Sequence, residues 1–234
     1  MNNHKICICI PTLNRFDLLL PALLYYKLET PNVYIFIYDN GKQRIKERLH
    51  DLINGRGNKR TYPHLIEKVT VLGNVDKNIR VSAAWNILLR KAFEEHSHAL
   101  VLNDDILYIQ DSFRMGLFMD NEVIFKSALF TCESKFDWSV FLMPRKTFET
   151  VGEFDERMVL YYSDNDYARR IKLGQQEVEE MPFLNPQLFR RSMSLLKDST
   201  LNKQIVSDRD EYVKKWGGLP GEEKHLQPYN ESVI

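Results

Sequence analysis

His98-Ala99-Leu100-Val101-Leu102-Asn103-Asp104-Asp105 is an apolar run that stops abruptly on polar residues. A run of this length, ended by a turn cluster, reads as a strand buried on both faces. Just upstream, Val81, Trp85, Leu88 and Ala92 recur at i, i+4, i+7 and i+11, the stripe of an amphipathic helix. The same alternation repeats further back. Ile6-Cys7-Ile8-Cys9-Ile10, closed by Pro11, predicts a first strand, and Arg15 to Lys27 a leucine-rich helix with Pro21 as a kink or restart. Val33 to Tyr38 predicts a second strand, Gln43 to Ile53 a charged helix, Gly55 to Pro63 a basic loop and Lys68 to Leu72 a short third strand. Strands and helices in strict alternation specify a parallel sheet with helices on both faces.

Downstream the pattern loosens. Glu122 to Thr131 and Trp138 to Met143 read as strands, Arg145 to Thr150 as a short helix, and Gly152 to Glu156 as a loop. Ser163 to Leu173 predicts a helix that Gly174 ends. Pro182 to Pro186 is a connector, after which the chain reads as helical until Lys215-Trp216-Gly217-Gly218-Leu219-Pro220 breaks it.

The bulk properties exclude several classes. The 234 residues are 44% hydrophobic, enough for a substantial core. Lys plus Arg equals Asp plus Glu at 32 each, so nothing in the charge invites nucleic acid or an acidic membrane. No window approaches the ~20 apolar residues of a membrane helix, and no signal-peptide core precedes the first strand. The three cysteines, Cys7, Cys9 and Cys132, have no zinc or CxxC spacing and read as reduced core thiols, with Cys7 and Cys9 on one strand face. A soluble, cytoplasmic protein is expected.

Ligands of open α/β sheets sit outside the carboxyl ends of the strands. Three polar groups fall there: Thr12-Leu13-Asn14-Arg15, Asp39-Asn40-Gly41 and Asn103-Asp104-Asp105. Adjacent carboxylates repel unless a cation offsets them, and Mg²⁺ or Mn²⁺ held by one or two carboxylates and a diphosphate does so. Asp104 and Asp105 therefore read as metal ligands or as a solvated turn. Asp39 reads either as a turn residue or as an acceptor for a base or ribose group. Ser163-Asp164-Asn165-Asp166 reads as a capping box for Ser163 and Asp166, with Asp164 free to act as a general base. Trp138 and Trp216 read either as sugar-stacking platforms or as packing residues.

In this order and spacing the motifs resemble the family-2-type glycosyltransferases of the GT-A fold. Ile10-Pro11-Thr12-Leu13-Asn14-Arg15 resembles that family's opening, and Tyr38-Asp39-Asn40-Gly41 its nucleoside-contacting turn. Asn78 to Asn86 is similar to its small-residue helix start, and Leu102-Asn103-Asp104-Asp105 to its DxD-type metal motif. Phe154-Asp155-Glu156 with Asp164, Asp166 and Arg169 or Arg170 is similar to its acceptor-side segment. The sequence departs from the pattern at Asn103, at Ser163, in lacking a glycine after Asn78, and in having His225 as the only late candidate for a metal-binding histidine.

The resemblance implies a three-layer α/β sandwich with a mostly parallel central sheet. Residues 1–186 would form the catalytic domain, with 1–105 binding nucleotide-sugar and 106–186 facing the acceptor, and 187–234 a helical C-terminal extension. It implies an inverting, Mn²⁺- or Mg²⁺-dependent transfer from a UDP- or GDP-sugar to a glycan, lipid-linked or other hydroxyl acceptor. Asp164 would be the base and Asp105, with Asp104, the metal ligands. Pro11, Thr12, Asn14, Arg15, Asp39, Asn78, Asn86, Asn103 and Asp104 would frame the donor, and Trp138, Asp166 and Trp216 the sugar or acceptor. Two alternatives share the fold: a non-catalytic sugar- or nucleotide-binding module, and a sugar-1-phosphate nucleotidyltransferase. The second is disfavoured because the loop after the first strand has no glycine to cradle a triphosphate.

Overall fold

The computed structural model describes residues 6–29, 32–53, 67–73, 78–106, 129–131, 138–176, 178–180 and 199–230. Its centre is a seven-stranded sheet in the order β3-β2-β1-β4-β6-β5-β7. The strands are β1 (Ile6–Thr12), β2 (Tyr34–Asp39), β3 (Val69–Leu72), β4 (His98–Leu102), β5 (Leu129–Thr131), β6 (Val140–Pro144) and β7 (Val178–Glu180). β1 pairs in parallel with β2 and β4, and β2 with β3. β6 is antiparallel to both of its neighbours, β4 and β5, while β5 and β7 are parallel. Within the described strands, β6 alone runs against the rest.

Six helices are described: α1 (Phe16–Glu29), α2 (Ile45–Ile53), α3 (Arg80–Ala92), α4 (Arg145–Val151), α5 (Ser163–Leu173) and α6 (Ser199–Trp216). Strand alternation sorts the core into two layers. Ile8, Ile10, Ile35, Ile37, Leu100 and Leu102 face α1 and α2, meeting Leu19, Leu23, Tyr26, Ile45 and Leu49. Cys7, Cys9, Phe36, Ala99, Val101 and Phe141 face α3, α4 and α5, meeting Trp85, Leu88, Phe148, Tyr167 and Ile171. Each fully buried aliphatic or aromatic side chain contributes about 1.5–3 kcal/mol. This is the expected three-layer α/β sandwich with a mostly parallel sheet and a helix at the C-terminal end. Cys7 and Cys9 are buried free thiols on one face.

Several expectations are refined. α1 continues past Pro21 instead of restarting there. β7 had no reading in the sequence. Of the strand expected over Glu122 to Thr131, Leu129–Thr131 is present, and its remainder lies outside the described residues. So do Cys132, the basic loop, the connector, the start of the helical tail and the division after residue 186. The division after 105 falls in the turn that follows β4. α6 is anchored to the body, with Tyr212, Trp216 and Asp208 fully buried. No helix among the described residues is long and apolar enough to cross a membrane.

Candidate active site at the carboxyl ends of β1, β2 and β4

The strand order reverses at β1: β2 and β3 extend the sheet on one side of it, and β4 begins the other. Such a switch point opens a crevice at the carboxyl ends of the strands. Register places Thr12, the last residue of β1, opposite Asp39, the last of β2. Across the switch point, the Thr12 hydroxyl donates to Asp104 Oδ2 at 2.7 Å. Gln43 Nε2 donates to Thr12 Oγ1 at 3.4 Å and to Asp39 Oδ1 at 3.3 Å. A chain of hydrogen bonds therefore joins the ends of all three strands, from Asp39 through Gln43 and Thr12 to Asp104. Gln43 was not singled out from the sequence. Its polarity predicts a surface residue, whereas the amide is buried.

Asp39 is committed to its own turn, accepting from the Gly41 and Ile45 amides as well as from Gln43. It starts α2 in the manner of a capping carboxylate. Asn40 stitches the rim together: its amide donates to the Thr12 carbonyl and its Oδ1 accepts from the Ile79 amide at 2.7 Å. Asn78 Oδ1 accepts from the Arg80 amide, setting the entry to α3. Asn14 has φ +54 and lies over Gly41, where an added Cβ would sit 2.4 Å from Asn14 Oδ1. A side chain at position 41 would force the Asn14 side chain aside. Pro11 is half-buried in β1 opposite Tyr38.

The acidic turn is held from two sides. The Asn103 amide donates to the Ser139 carbonyl, and the fully buried Tyr26 hydroxyl donates to the Ile106 carbonyl at 2.7 Å. Asn103, Asp104 and Asp105 are half-buried between these anchors. Burial pushes the Asp104 carboxyl up to about 6; the Thr12 bond and Arg15 oppose the rise, and the Asp105 charge adds to it. A carboxyl this reluctant to ionise is a site where added positive charge is favourable. No cluster of three or more His, Cys, Asp or Glu side chains that could cage a metal exists among the described residues. Two carboxylates such as Asp104 and Asp105 can hold Mg²⁺ or Mn²⁺ only together with phosphate oxygens and water.

Asp164 lies in the first turn of α5, half-buried, with Oδ1 accepting from the Asn165 amide. Its approach is fixed by side chains from both ends of the chain. The Ser82 hydroxyl of α3 donates to the Met158 carbonyl at 2.6 Å. Asp208 of α6 accepts from the amides of Val159, Leu160 and Tyr161 at 3.3, 2.9 and 2.9 Å. The capping box does not form: Tyr162, at φ +63, is the N-cap and makes no side-chain cap bond.

The remaining candidates sit in the interior. Asn86 is fully buried, with its amide closing on the Phe154 backbone and on Glu156. Trp138 is 3% exposed, and its ring packs on Phe141, Phe154 and Tyr167. Trp216 is fully buried, with Nε1 donating to Asp166 Oδ1. Asp166 is also fully buried and pairs with Arg170 and Lys215. No face of these three residues is open to a ligand, so packing is the role the structure gives them. Asp155 also pairs with Lys215 and with Arg157; burial raises its carboxyl, but these two cations outweigh it and hold the group well below the usual carboxylate range. His225 directs Nδ1 to the Lys215 carbonyl and covers Gly217.

No protein-family model matches the chain, and no curated protein matches it in sequence. Among solved structures it is similar to a Drosophila β-1,4-galactosyltransferase 7 variant in complex with manganese, UDP-Gal and xylobiose. The TM-score is 0.50 at 15% identity, covering 79% of this chain and 65% of that one. The chain thus spans just under two thirds of that enzyme's length. Weaker likenesses include the glycosyltransferase GlyE of Streptococcus pneumoniae (TM-score 0.47, 10% identity, 76% and 45% covered). Another is a cytidylyltransferase of Leptospira borgpetersenii (TM-score 0.45, 14% identity, 89% and 87% covered). The fold is GT-A, that of the nucleotide-diphospho-sugar transferases.

Proposed function

We propose that the protein is an inverting, metal-dependent glycosyltransferase that uses a UDP- or GDP-sugar. The observation that carries this reading is the hydrogen-bonded chain Asp39–Gln43–Thr12–Asp104 across the switch point, which ends beside Asp105. Asp39, Asn40, Asn14 and Arg15 frame the nucleoside, with Asn78 at the entry to α3. Asp104 and Asp105 hold a divalent cation, which when bound supplies charge compensation for the departing diphosphate. Asp164 accepts the proton of the acceptor hydroxyl as that oxygen bonds to the anomeric carbon and the bond to the diphosphate breaks. A single displacement of this kind inverts the anomeric centre. The acceptor is a hydroxyl-bearing glycan, lipid-linked or other molecule.

Calorimetry with UDP and GDP, each in Mn²⁺ and in EDTA, tests the proposal. Binding of one nucleotide that requires Mn²⁺ and is lost in Asp105→Ala supports it. Absence of binding by both would overturn it and leave the acidic turn as a turn.

A further inference from the structure

Outside the strand-end rim, the described residues form a cleft of about 400 Å³ between the flank of α5 and the segment after α6. Its volume lies within the usual range of about 300–1,000 Å³ for small-molecule sites. It shares no lining residue with the rim. Ala168, Val178 and Pro220 give it an apolar wall, and Asn165, Arg169, Lys172, Gln176 and Glu223 supply polar groups.

Two polar atoms of the lining residues are left over: Arg169 Nε, a donor, and Gln176 Oε1, an acceptor, are both buried without a hydrogen-bond partner. An unsatisfied buried polar atom costs about 1–3 kcal/mol, recovered when a ligand supplies the partner. Ligand hydroxyls, which both accept and donate, are the groups that can supply such partners. Arg169 is otherwise anchored, donating through Nη2 to the His225 carbonyl, so its position is fixed. Glu223 is fixed too, accepting from the Tyr212 hydroxyl and the Gly221 amide. Hydrogen bonding and the Arg169 charge outweigh burial and hold its carboxyl below the ordinary value, so it remains charged at neutral pH. Glu223 thus balances Arg169, whereas Lys172 has no carboxylate partner among the described residues and stands exposed.

We propose that this cleft is a second binding site, taking a saccharide unit that carries one acidic group. The apolar wall suits the carbon face of a sugar ring, sugar hydroxyls supply partners for the orphaned donor and acceptor, and Lys172 meets the acid. The site goes beyond the strand-end reading and needs neither nucleotide nor metal, so it can fail while that reading stands.

The test is NMR titration of the full chain in EDTA, following the Arg169 Nε–H signal with glucuronate and glucose as probes. Glucuronate is expected to shift that signal with saturation in the millimolar range and to bind roughly fivefold tighter than glucose, as one exposed charge pair allows. Gln176→Ala should weaken both sugars, and Lys172→Ala should remove the preference for glucuronate alone. Both residues are at least partly exposed, so the variants should fold, which an unchanged amide spectrum would verify. Equal affinity for the two sugars would overturn the acidic-ligand assignment. No shift with either, or a shift that survives Gln176→Ala, would overturn the site.

Discussion

Replacing Asp208 by alanine is expected to cost the protein about 3–5 kcal/mol. The carboxylate is fully buried and accepts from Val159, Leu160 and Tyr161, and from Gln204 Nε2 at 2.7 Å. Each buried donor stripped of its acceptor costs about 1–3 kcal/mol. The sum is held below four full penalties because the donors are only partly buried, the 3.3 Å bond to Val159 is weak and water can enter the space left. For an m-value of about 2–3 kcal/mol/M in urea, the unfolding midpoint should fall by roughly 1–2 M. Asp208→Asn keeps the shape but turns an amide donor toward backbone N–H groups, so an intermediate loss of about 2 kcal/mol is expected. Hydrogen exchange adds a local readout: Leu160 and Tyr161 amides should lose protection while β1 and β4 amides keep theirs relative to global stability. A loss below ~1 kcal/mol in Asp208→Ala, with Leu160 and Tyr161 still protected, would refute the claim that α6 holds the loop leading to Asp164.

Other outcomes follow from the same geometry. Lys215→Met leaves Asp155 and Asp166 facing each other with less compensation, and should cost about 3–5 kcal/mol at pH 7.5 by thermal unfolding. In the intact protein Asp155 has a depressed pKa, so its contribution is present above the unfolded carboxylate range and is lost only as pH falls through its low folded value. The variant's deficit should therefore persist down to about pH 4, the unfolded carboxylate value, and shrink only below it; a deficit unchanged below that pH would count against the pairing. Asp104 has the opposite sign. With its pKa raised to about 6, its own contribution to the stability of the metal-free protein should fall by on the order of 2–3 kcal/mol as pH rises from about 4 to 6. A carboxyl NMR titration should place its midpoint near 6, higher in Thr12→Val; a midpoint near 4 would contradict the environment described. Gly41→Ala should cost roughly 1 kcal/mol because the new Cβ meets Asn14, and part of that cost should vanish in an Asn14→Ala background.

Local pattern carried most of the first half. β1, β4 and α3 were legible because apolar periodicity and turn clusters coincide in Ile6–Thr12, His98–Leu102 and Arg80–Ala92. The strand-end polar groups were legible for the same reason. Strand direction was not: nothing in Val140–Pro144 distinguishes an antiparallel strand from a parallel one, because direction is set by the path of the intervening chain. Gln43, Tyr26 and Asp208 were missed since the contacts that matter, to Thr12, Ile106 and residues 159–161, span long sequence separations, and a buried Asp on a polar helix resembles its solvated neighbours. The acceptor-side candidates are buried side chains. Trp138 is buried among Phe141, Phe154 and Tyr167, while Trp216 of α6 is buried separately on Asp166, and residue type alone could not separate such packing from sugar contact.

The most direct test of the central claim is donor hydrolysis across a panel of nucleotide-sugars at fixed Mn²⁺, with water standing in for the acceptor. Intact protein is compared with Asp105→Ala and Asp164→Asn. The account predicts slow turnover of one UDP- or GDP-sugar, abolished by EDTA and in Asp105→Ala, and reduced at least a hundredfold in Asp164→Asn without loss of nucleotide binding. Nucleotide binding with no turnover of any donor, or turnover indifferent to both substitutions, would contradict it.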